Sequence, residues 1–282
     1  MKSLLLLFLS ASFLLDSGAA FAQANDSAKA KEKNHLIIGA TYNSALNYYG
    51  RVDSLKSSGI CPFIGYELKD GLYLNTTFIF IHNNLQSEYA ATVVEAGYNF
   101  NNKKNTWAGN LSASAYFYQP DIDLVQSAIK ESFNASITHL NPIIDVTLGV
   151  SAKVSDELDY VAQGSLDHIV KFTHVFGKGI ILLDPSASVY AGTQNFMQTY
   201  YQQEKFLILP VGEQAVTSSS RVFNVLAYEG SMPIVFAYKK LNLTVTPSYI
   251  MPENIITVPG QPALSEMGSN LFYVTATVKF TL

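Results

Sequence analysis

From His35 onward the chain consists of short runs in which apolar and polar residues alternate, with turn-forming residues between the runs. Successive side chains of a β-strand point to opposite faces, so each run predicts a strand with one apolar and one polar face. Twelve strands are predicted in this way, at about 35–47, 57–69, 71–83, 88–101, 104–118, 127–140, 142–154, 158–176, 179–196, 219–239, 241–253 and 270–282. No run has the periodicity of a convincing amphipathic helix, so the sequence predicts an all-β fold.

The last strand shows the alternation clearly. One face carries Phe272, Val274, Ala276, Val278, Phe280 and Leu282, and the other carries Tyr273, Thr275, Thr277, Lys279 and Thr281. Residues 107–118, 142–151 and 241–249 divide in the same manner. A membrane β-barrel and a soluble β-sandwich both show this pattern, so other features must separate the two.

The connections between the predicted strands alternate between two lengths. Short turns are expected at 69–71, 101–105, 141–142, 177–179 and 239–240. Mostly longer connections lie between them, at 48–56, 83–88, 119–127, 197–218 and 253–269, with a brief one at 155–157. Outer-membrane barrels have this asymmetry, with short periplasmic turns and longer extracellular loops. An even number of strands then places both termini in the periplasm.

The composition favours the barrel over the sandwich. Charged residues make up 14% of the chain, against about 25% in a typical soluble domain. The polar faces carry mostly Ser, Thr, Asn and Tyr, which suits a barrel interior better than a surface in water. Aromatic residues near the predicted turns, among them Tyr66, Tyr98 and Trp107, suit the girdle at a membrane interface. These features predict a transmembrane antiparallel β-barrel.

Other function classes are disfavoured by the charge and the cysteine content. The net charge is −4, whereas a nucleic-acid-binding protein needs a basic surface. Cys61 is the only cysteine of the chain, so an intrachain disulfide or a cysteine-based metal cluster cannot form. We expect neither a metal ion nor a cofactor.

The N-terminal residues predict export. Lys2 precedes an apolar run over 4–15, and the small residues Ala20 and Ala22 flank a cleavage point before Gln23. Residues 1–22 are therefore predicted to be a signal peptide, and the polar residues 23–34 a flexible periplasmic segment. The barrel would then comprise residues 35–282.

The chain resembles the outer-membrane β-barrel proteins of Bacteroidota-type bacteria. The resemblance extends over the predicted mature chain, and its clearest points are the final strand and the runs 185–194 (PSASVYAGTQ) and 241–252 (LNLTVTPSYIMP). Phe280 and Leu282 occupy the two places of a terminal signal similar to the one read by the barrel-assembly machinery, although the usual terminal Phe is replaced by Leu282. The resemblance implies the fold and the location in the outer membrane, and it carries no specific activity.

If the apolar faces contact lipid, the charges on the opposite faces line the lumen. These residues are Glu67, Glu95, Lys130, Asp145, Asp167, Lys171, Asp184, Glu229 and Lys279. Counting from the short turns places Glu95, Asp167 and Glu229 near the middle of the barrel. It places Glu67, Asp145, Asp184, Lys171 and Lys279 in the periplasmic half.

Two interpretations of these charges remain open. They could pair and brace the barrel wall, because an unpaired buried charge is costly. They could instead line a narrow aqueous path and favour cations or polar solutes. A barrel of twelve strands lies between filled eight-stranded barrels and wide porins, so a narrow or partly plugged lumen is expected. The first long loop of the C-terminal half, 197–218, contains Tyr200, Tyr201 and Phe206, and we expect it to fold inward as a plug.

An enzymatic site on the outer wall is a weaker alternative. A lipid-acting hydrolase would need a Ser, a His and an acid, and the candidates are Ser165, Asp167, His168 and His174. Ser165 and Asp167 have the parity opposite to that of His168, so they are expected to point away from it. We therefore expect a non-enzymatic protein, most simply a narrow channel for small polar solutes. A closed structural or partner-binding barrel remains the alternative, and the oligomeric state is left open.

Overall fold

A computed structural model describes residues 33–53, 55–120, 122, 124, 127–195, 222–256 and 266–282. These residues form a closed antiparallel β-barrel of twelve strands. The first seven are β1 (His35–Asn43), β2 (Ser58–Glu67), β3 (Leu72–His82), β4 (Ser87–Asn101), β5 (Trp107–Tyr118), β6 (Glu131–His139) and β7 (Asp145–Val154). Three strands in two segments follow: β8 (Leu158–Asp167 and Val170–Val175), β9 (Gly179–Leu183 and Ser186–Gly192) and β10 (Asn224–Ser231 and Ile234–Tyr238). The last two are β11 (Leu241–Pro252) and β12 (Leu271–Thr281).

The barrel closes where the first strand meets the last. Ile37 lies opposite Thr281, and Asn43 lies opposite Thr275, while β12 also pairs with β11 along its whole length. All other neighbours in the wall are consecutive in the chain. The predicted all-β barrel is therefore confirmed, and strand boundaries differ from the prediction by only a few residues.

The wall is apolar outside and polar inside. Every strand exposes large apolar side chains on its outer face, for example Leu74, Phe117, Leu148 and Val245. The inner face carries the buried Ser, Thr and Asn residues and most of the buried charges. A sandwich would bury the apolar faces together, so this arrangement excludes it and identifies a membrane-spanning barrel. Tyr66, Tyr98 and Trp107 all lie exposed near the short turns, as a girdle requires.

The two ends of the barrel differ, as predicted. Short turns join strands at 68–71, 102–106, 140–144, 176–178 and 239–240, and this end also holds the start of β1 and the end of β12. Gly71 has φ +103°, and an added Cβ would lie 2.1 Å from the carbonyl oxygen of Asn99, so the first of these turns requires glycine. The other end carries the longer connections, together with two short ones at 83–86 and 155–157. We call these ends the short-turn end and the loop end.

Within the described part of the chain, no helix is long and apolar enough to cross a membrane.

Three adjacent strands are interrupted at one level of the wall. The breaks lie at residues 168–169 of β8, at Asp184-Pro185 of β9 and at Met232-Pro233 of β10. Proline has no backbone N–H to donate to a neighbouring strand. The remaining backbone hydrogen bonds bridge the breaks. His168 N–H donates to Pro185 O (3.2 Å), and Asp184 N–H donates to Pro233 O (3.0 Å). The break in β10 falls at Met232-Pro233, between its two segments. The register shift of β10 lies elsewhere, opposite Tyr190 and Ala191.

Strand β8 continues past the start of its neighbour β7. Asp167 pairs with Asp145, the first residue of β7, and among the described strands the segment Val170–Val175 pairs only with β9. The hairpin of β8 and β9 therefore projects at the short-turn end.

Candidate functional site

The lumenal face of the wall is built from hydroxyl and amide side chains that bond between neighbouring strands. Thr138 and Thr147 lie 2.8 Å apart, Ser165 and Ser188 2.7 Å, Ser186 and Ser231 2.7 Å, and Thr41 and Thr277 3.0 Å (oxygen to oxygen). Such pairs arise because period-two alternation puts polar residues of adjacent strands directly opposite each other. The result is a polar lining over much of the lumenal face.

Eight of the nine predicted lumenal charges lie on this inner face. Glu95, Asp145, Asp167, Asp184, Glu229 and Lys279 are buried, and Glu67 and Lys171 are half-buried. Lys130 departs from the prediction: its side chain is 59% exposed and forms an ion pair with Asp156 at 2.6 Å. Strand β6 begins at Glu131, and the backbone of Lys130 still bonds to Tyr116 of β5 and Val154 of β7, so Lys130 stands at the end of the wall. Lys130 lies at the rim of the loop end.

Two buried glutamates of the inner face, which the sequence predicts near the middle of the lumen, differ in their partners. Glu229 accepts hydrogen bonds from the hydroxyl groups of Tyr190 (3.1 Å) and Tyr273 (2.6 Å), one on each carboxylate oxygen. Glu95 accepts one from Ser114 (3.2 Å). Glu229 is thus held by the wall on both sides, whereas Oε1 of Glu95 bonds to none of the described residues.

Three aspartates come together toward the short-turn end. Asp145 lies opposite Asp167, and the carboxyl group of Asp184 on β9 contacts that of Asp167. Counting from the turn after β8 predicts a mid-barrel position for Asp167, and this is wrong because β8 extends beyond β7. We call Asp145, Asp167 and Asp184 the aspartate cluster. Farther around the wall, Glu67 attracts Lys279.

The loop end is closed by a small hairpin that follows β1. Asn47–Tyr48 pairs with Arg51–Val52, and Tyr49 and Gly50 form the turn with φ +51° and +78°. Two positive φ values are typical of the tight hairpin turns that twist with their strands. An added Cβ on Gly50 would lie 2.9 Å from Cδ of Pro252, so the turn also packs closely against the end of β11. We call residues 45–53 the mouth hairpin.

Arg51 ties the mouth hairpin to the rest of the loop end. Its guanidinium donates to the backbone carbonyls of Tyr49 (3.0 Å), Leu226 (3.1 Å) and Glu253 (2.9 Å) and pairs with Glu266 at 3.2 Å. Both side chains of the ion pair are only 1% exposed. Glu266 also accepts from Ile256 N–H (2.7 Å), so one buried pair joins the hairpin, β10 and both described ends of the connection after β11.

Two tyrosines of the hairpin reach across the barrel. Nζ of Lys153, at the loop end of β7, lies 3.1 Å from the Tyr48 hydroxyl and 3.4 Å from that of Tyr49. The rings of Tyr49 and Tyr190 are 4.9 Å apart. Burial raises the pKa of Tyr48 and of Tyr49, so both remain neutral phenols. The hairpin leaves the wall between β1 and β2 and contacts its opposite side, so it crosses the mouth.

Apolar residues fill the space around the hairpin. Tyr48 and Tyr49 pack with lumenal residues of β8 to β12, including Val161, Leu226 and Ile250. Leu46 packs with residues of β2 to β4 and with Ile122 and Leu124 from the connection after β5. The sequence predicts a plug at 197–218, and all of these residues lie outside the described part of the chain. The structure shows that the connection after β1 enters the mouth, and Leu46, Tyr48 and Tyr49 were the signal for it in the sequence.

The structure does not assemble the hydrolase candidates. Ser165 bonds to Ser188 inside the lumen, and Asp167 also faces inward, whereas His168 is exposed outside. His174 is exposed at an irregularity of β8 and has φ +65°. Among the described residues no group of three His, Cys, Asp or Glu side chains could hold a metal ion.

Comparisons with known proteins show barrels with low similarity. No protein-family model matches the sequence, and no curated protein matches it either. The KdgM porin superposes with a TM-score of 0.48 at 8% identity, over 87% of this chain and 99% of that one. An outer-membrane channel from Pseudomonas putida F1 gives 0.48 at 12%, over 89% and 96% of the two chains. LpxR from Salmonella typhimurium gives 0.46 at 12%, over 87% and 99%. At TM-scores of 0.46 to 0.48 and identities of 8 to 12%, none of these similarities indicates what this chain does.

Proposed function

We propose that this protein is a narrow outer-membrane channel for small polar solutes in a Gram-negative bacterium of the Bacteroidota type, with a mouth that the hairpin closes in the conformation described above. The loop end then faces the outside of the cell and the short-turn end faces the periplasm. The outward-facing Phe280 and Leu282 support recognition by the barrel-assembly machinery, and the exposed apolar belt supports contact with outer-membrane lipids.

The observation that carries the proposal is a set of buried lumenal oxygens without a protein partner. Among the described residues, Glu95 Oε1, Asn134 Oδ1, Asp167 Oδ2, Asp184 Oδ1 and Thr246 Oγ1 make no hydrogen bond. Buried polar groups are costly unless they are hydrogen-bonded, and water is the partner that a lumen offers. These oxygens lie on β4, β6, β8, β9 and β11, so they support a wet interior around much of the barrel.

The manner of closure also supports a channel. The wall residues of the periplasmic half are mostly hydroxyls, amides and carboxylates, and an apolar cluster of Ile180, Leu182 and Val235 packs there on β9 and β10. The mouth is sealed by loop residues that one ion pair and a few backbone bonds hold in place. A seal of this kind can open without disturbing the wall.

The experiment is a current recording in planar bilayers with the purified, folded protein. Wild type should open rarely, in discrete steps. Arg51→Ala should increase the fraction of time spent open, because three carbonyls and Glu266 lose their donor. Lys130→Ala is the matched control, since it breaks an exposed rim pair that touches no part of the hairpin.

The competing function is a closed-lumen barrel with a structural or partner-binding role. The packed apolar clusters around the hairpin are the observation that favours it. If wild type and Arg51→Ala are both silent, while each still folds and resists unfolding in detergent, the channel proposal is wrong and the closed barrel stands.

A further inference from the structure

We infer that the short-turn end of the barrel binds the headgroups of anionic phospholipids through a set of exposed lysines. These lysines lie in four of the five short turns, and we call them the turn lysines. They are Lys69, Lys103, Lys104, Lys178, Lys239 and Lys240. The inference does not need a conducting lumen, so it stands or falls separately from the proposed channel.

The turn lysines concentrate positive charge at one rim. The same five turns contain a single acidic residue, Asp70, which is exposed as well. Among the described residues, none of the turn lysines has a carboxylate within ion-pair distance. Exposed charges of one sign create a field that attracts ions and surfaces of the other sign. The short-turn end therefore favours an anionic partner.

The loop end has the opposite charge balance. Its exposed charged residues within the described ranges are two bases and four acids, which are Lys56, Lys130, Glu131, Asp156, Glu157 and Glu253. A general excess of lysine on the surface of the protein would appear at both ends. The lysines are instead confined to the turns of one end, so the positive rim is a property of that end.

Exposed aromatic side chains accompany the turn lysines. Phe176 shares a turn with Lys178 and is 89% exposed. Nζ of Lys239 lies 5.2 Å from the ring centre of Tyr238, at the end of β10. Aromatic rings are enriched at the level of lipid headgroups, and lysine side chains near the ends of spanning segments extend their charges to the same level. A soluble acidic partner would not need such rings, so the combination favours a lipid surface.

The charge of the headgroup decides between lipid classes. A zwitterionic headgroup carries its own ammonium group, which repels a lysine as strongly as its phosphate attracts one at a distance. An anionic headgroup such as that of phosphatidylglycerol has a phosphate without this compensation. Basic residues near an anionic membrane surface each contribute to binding. Anionic phospholipids are therefore the class that fits the turn lysines.

Trp107 can report on this surface. It is the only tryptophan of the chain, it is exposed on the outer face, and it begins β5 directly after the turn with Lys103 and Lys104. The full mature protein is folded into phosphatidylcholine vesicles that contain either brominated phosphatidylglycerol or brominated phosphatidylcholine. The quenching of Trp107 fluorescence then gives the relative affinity of each lipid for the site beside it.

We expect phosphatidylglycerol to bind beside Trp107 about fivefold more tightly than phosphatidylcholine, the effect of one lysine near an anionic surface. Salt at about 1 M should reduce this preference, because it shortens the screening length to about 3 Å. Lys103→Gln combined with Lys104→Gln should bring the two affinities close to equality. Lys130→Gln, which removes an exposed lysine at the loop end, is the matched control and should keep the preference.

Unchanged quenching by brominated phosphatidylcholine shows that the double variant is still inserted. If wild type has no preference, or if the inserted double variant keeps it, the headgroup site is wrong, whatever the bilayer recordings show. Lack of a lipid preference together with binding of soluble polyglutamate in detergent would replace the lipid by an acidic protein partner.

Discussion

Tyr273 shows what one side chain contributes to the lumen. Its hydroxyl lies 2.6 Å from Oε1 of Glu229, inside the barrel. Tyr273→Phe removes one of the two donors to a buried carboxylate, and bonds to charged groups contribute about 1.5–3 kcal/mol. We expect the free energy of unfolding to fall by about that amount in a urea titration of the protein in lipid vesicles.

Tyr42→Phe is the control for this change, because Tyr42 is exposed on the outer face of β1. Tyr42→Phe should change the free energy of unfolding by no more than about 0.5 kcal/mol. Equal effects of the two substitutions would show that Glu229 does not depend on its tyrosines.

The ionisation of Glu266 predicts a pH dependence of the mouth. Burial raises the pKa of Glu266 above its ordinary value, and the nearby Arg51 offsets this only in part. The carboxyl group of Glu266 therefore binds its proton more tightly in the closed mouth than in an open, hydrated mouth. Closure is favoured at low pH and weakens as the pH rises from about 4.3 through the raised pKa.

The open fraction in bilayer recordings should accordingly increase over this pH range. Arg51 and Tyr48 are the other ionisable groups that interact electrostatically with Glu266. Glu266→Gln should remove the dependence, and a dependence that persists in this variant would assign it to another group.

At the level of elements, the turn of the mouth hairpin can be tested with matched glycines. Gly50→Ala places a Cβ at φ +78° and 2.9 Å from Pro252, so it strains the turn and should increase the open fraction. Gly230→Ala is the control, since its φ is not positive and a Cβ there would meet nothing within 4 Å. If both variants open equally often, the hairpin does not control the mouth.

The elements also show how far the sequence could predict this protein. All twelve strands were predicted, because period-two alternation follows directly from strand geometry. The mouth hairpin was not, since its position depends on contacts of Tyr49 and Arg51 with residues more than 130 positions away, such as Tyr190 and Leu226. The depth of Asp167 was wrong for a similar reason, because it depends on where the neighbouring strand begins. Parity alone predicts which charges face the lumen, and the side chain of Lys130, just before the start of β6, is exposed at the rim.

At the scale of the whole molecule, the barrel must present its apolar wall to lipid. Leu148 lies in β7 with its side chain 60% exposed. Leu148→Arg should reduce the free energy of unfolding in vesicles by about 2–4 kcal/mol, the cost of a cation near the middle of a bilayer. In a wall that faced water, the same change would cost almost nothing.

The control for this substitution is Leu85→Arg. Leu85 is 77% exposed in the short connection after β3 at the loop end, outside the strands. It should tolerate arginine with little loss of stability. A comparable loss at both positions would argue that Leu148 does not face hydrocarbon.

The seam between β1 and β12 has a consequence for biogenesis. Leu282 N–H donates to Leu36 O (2.8 Å), so β12 closes the ring on β1. A chain without β12 would leave the backbone groups at the edges of β1 and β11 unpaired, and hydrocarbon cannot solvate them. Such a chain would keep most of its lining and its mouth hairpin and still fail to insert into the bilayer, so insertion depends on the pairing of β12.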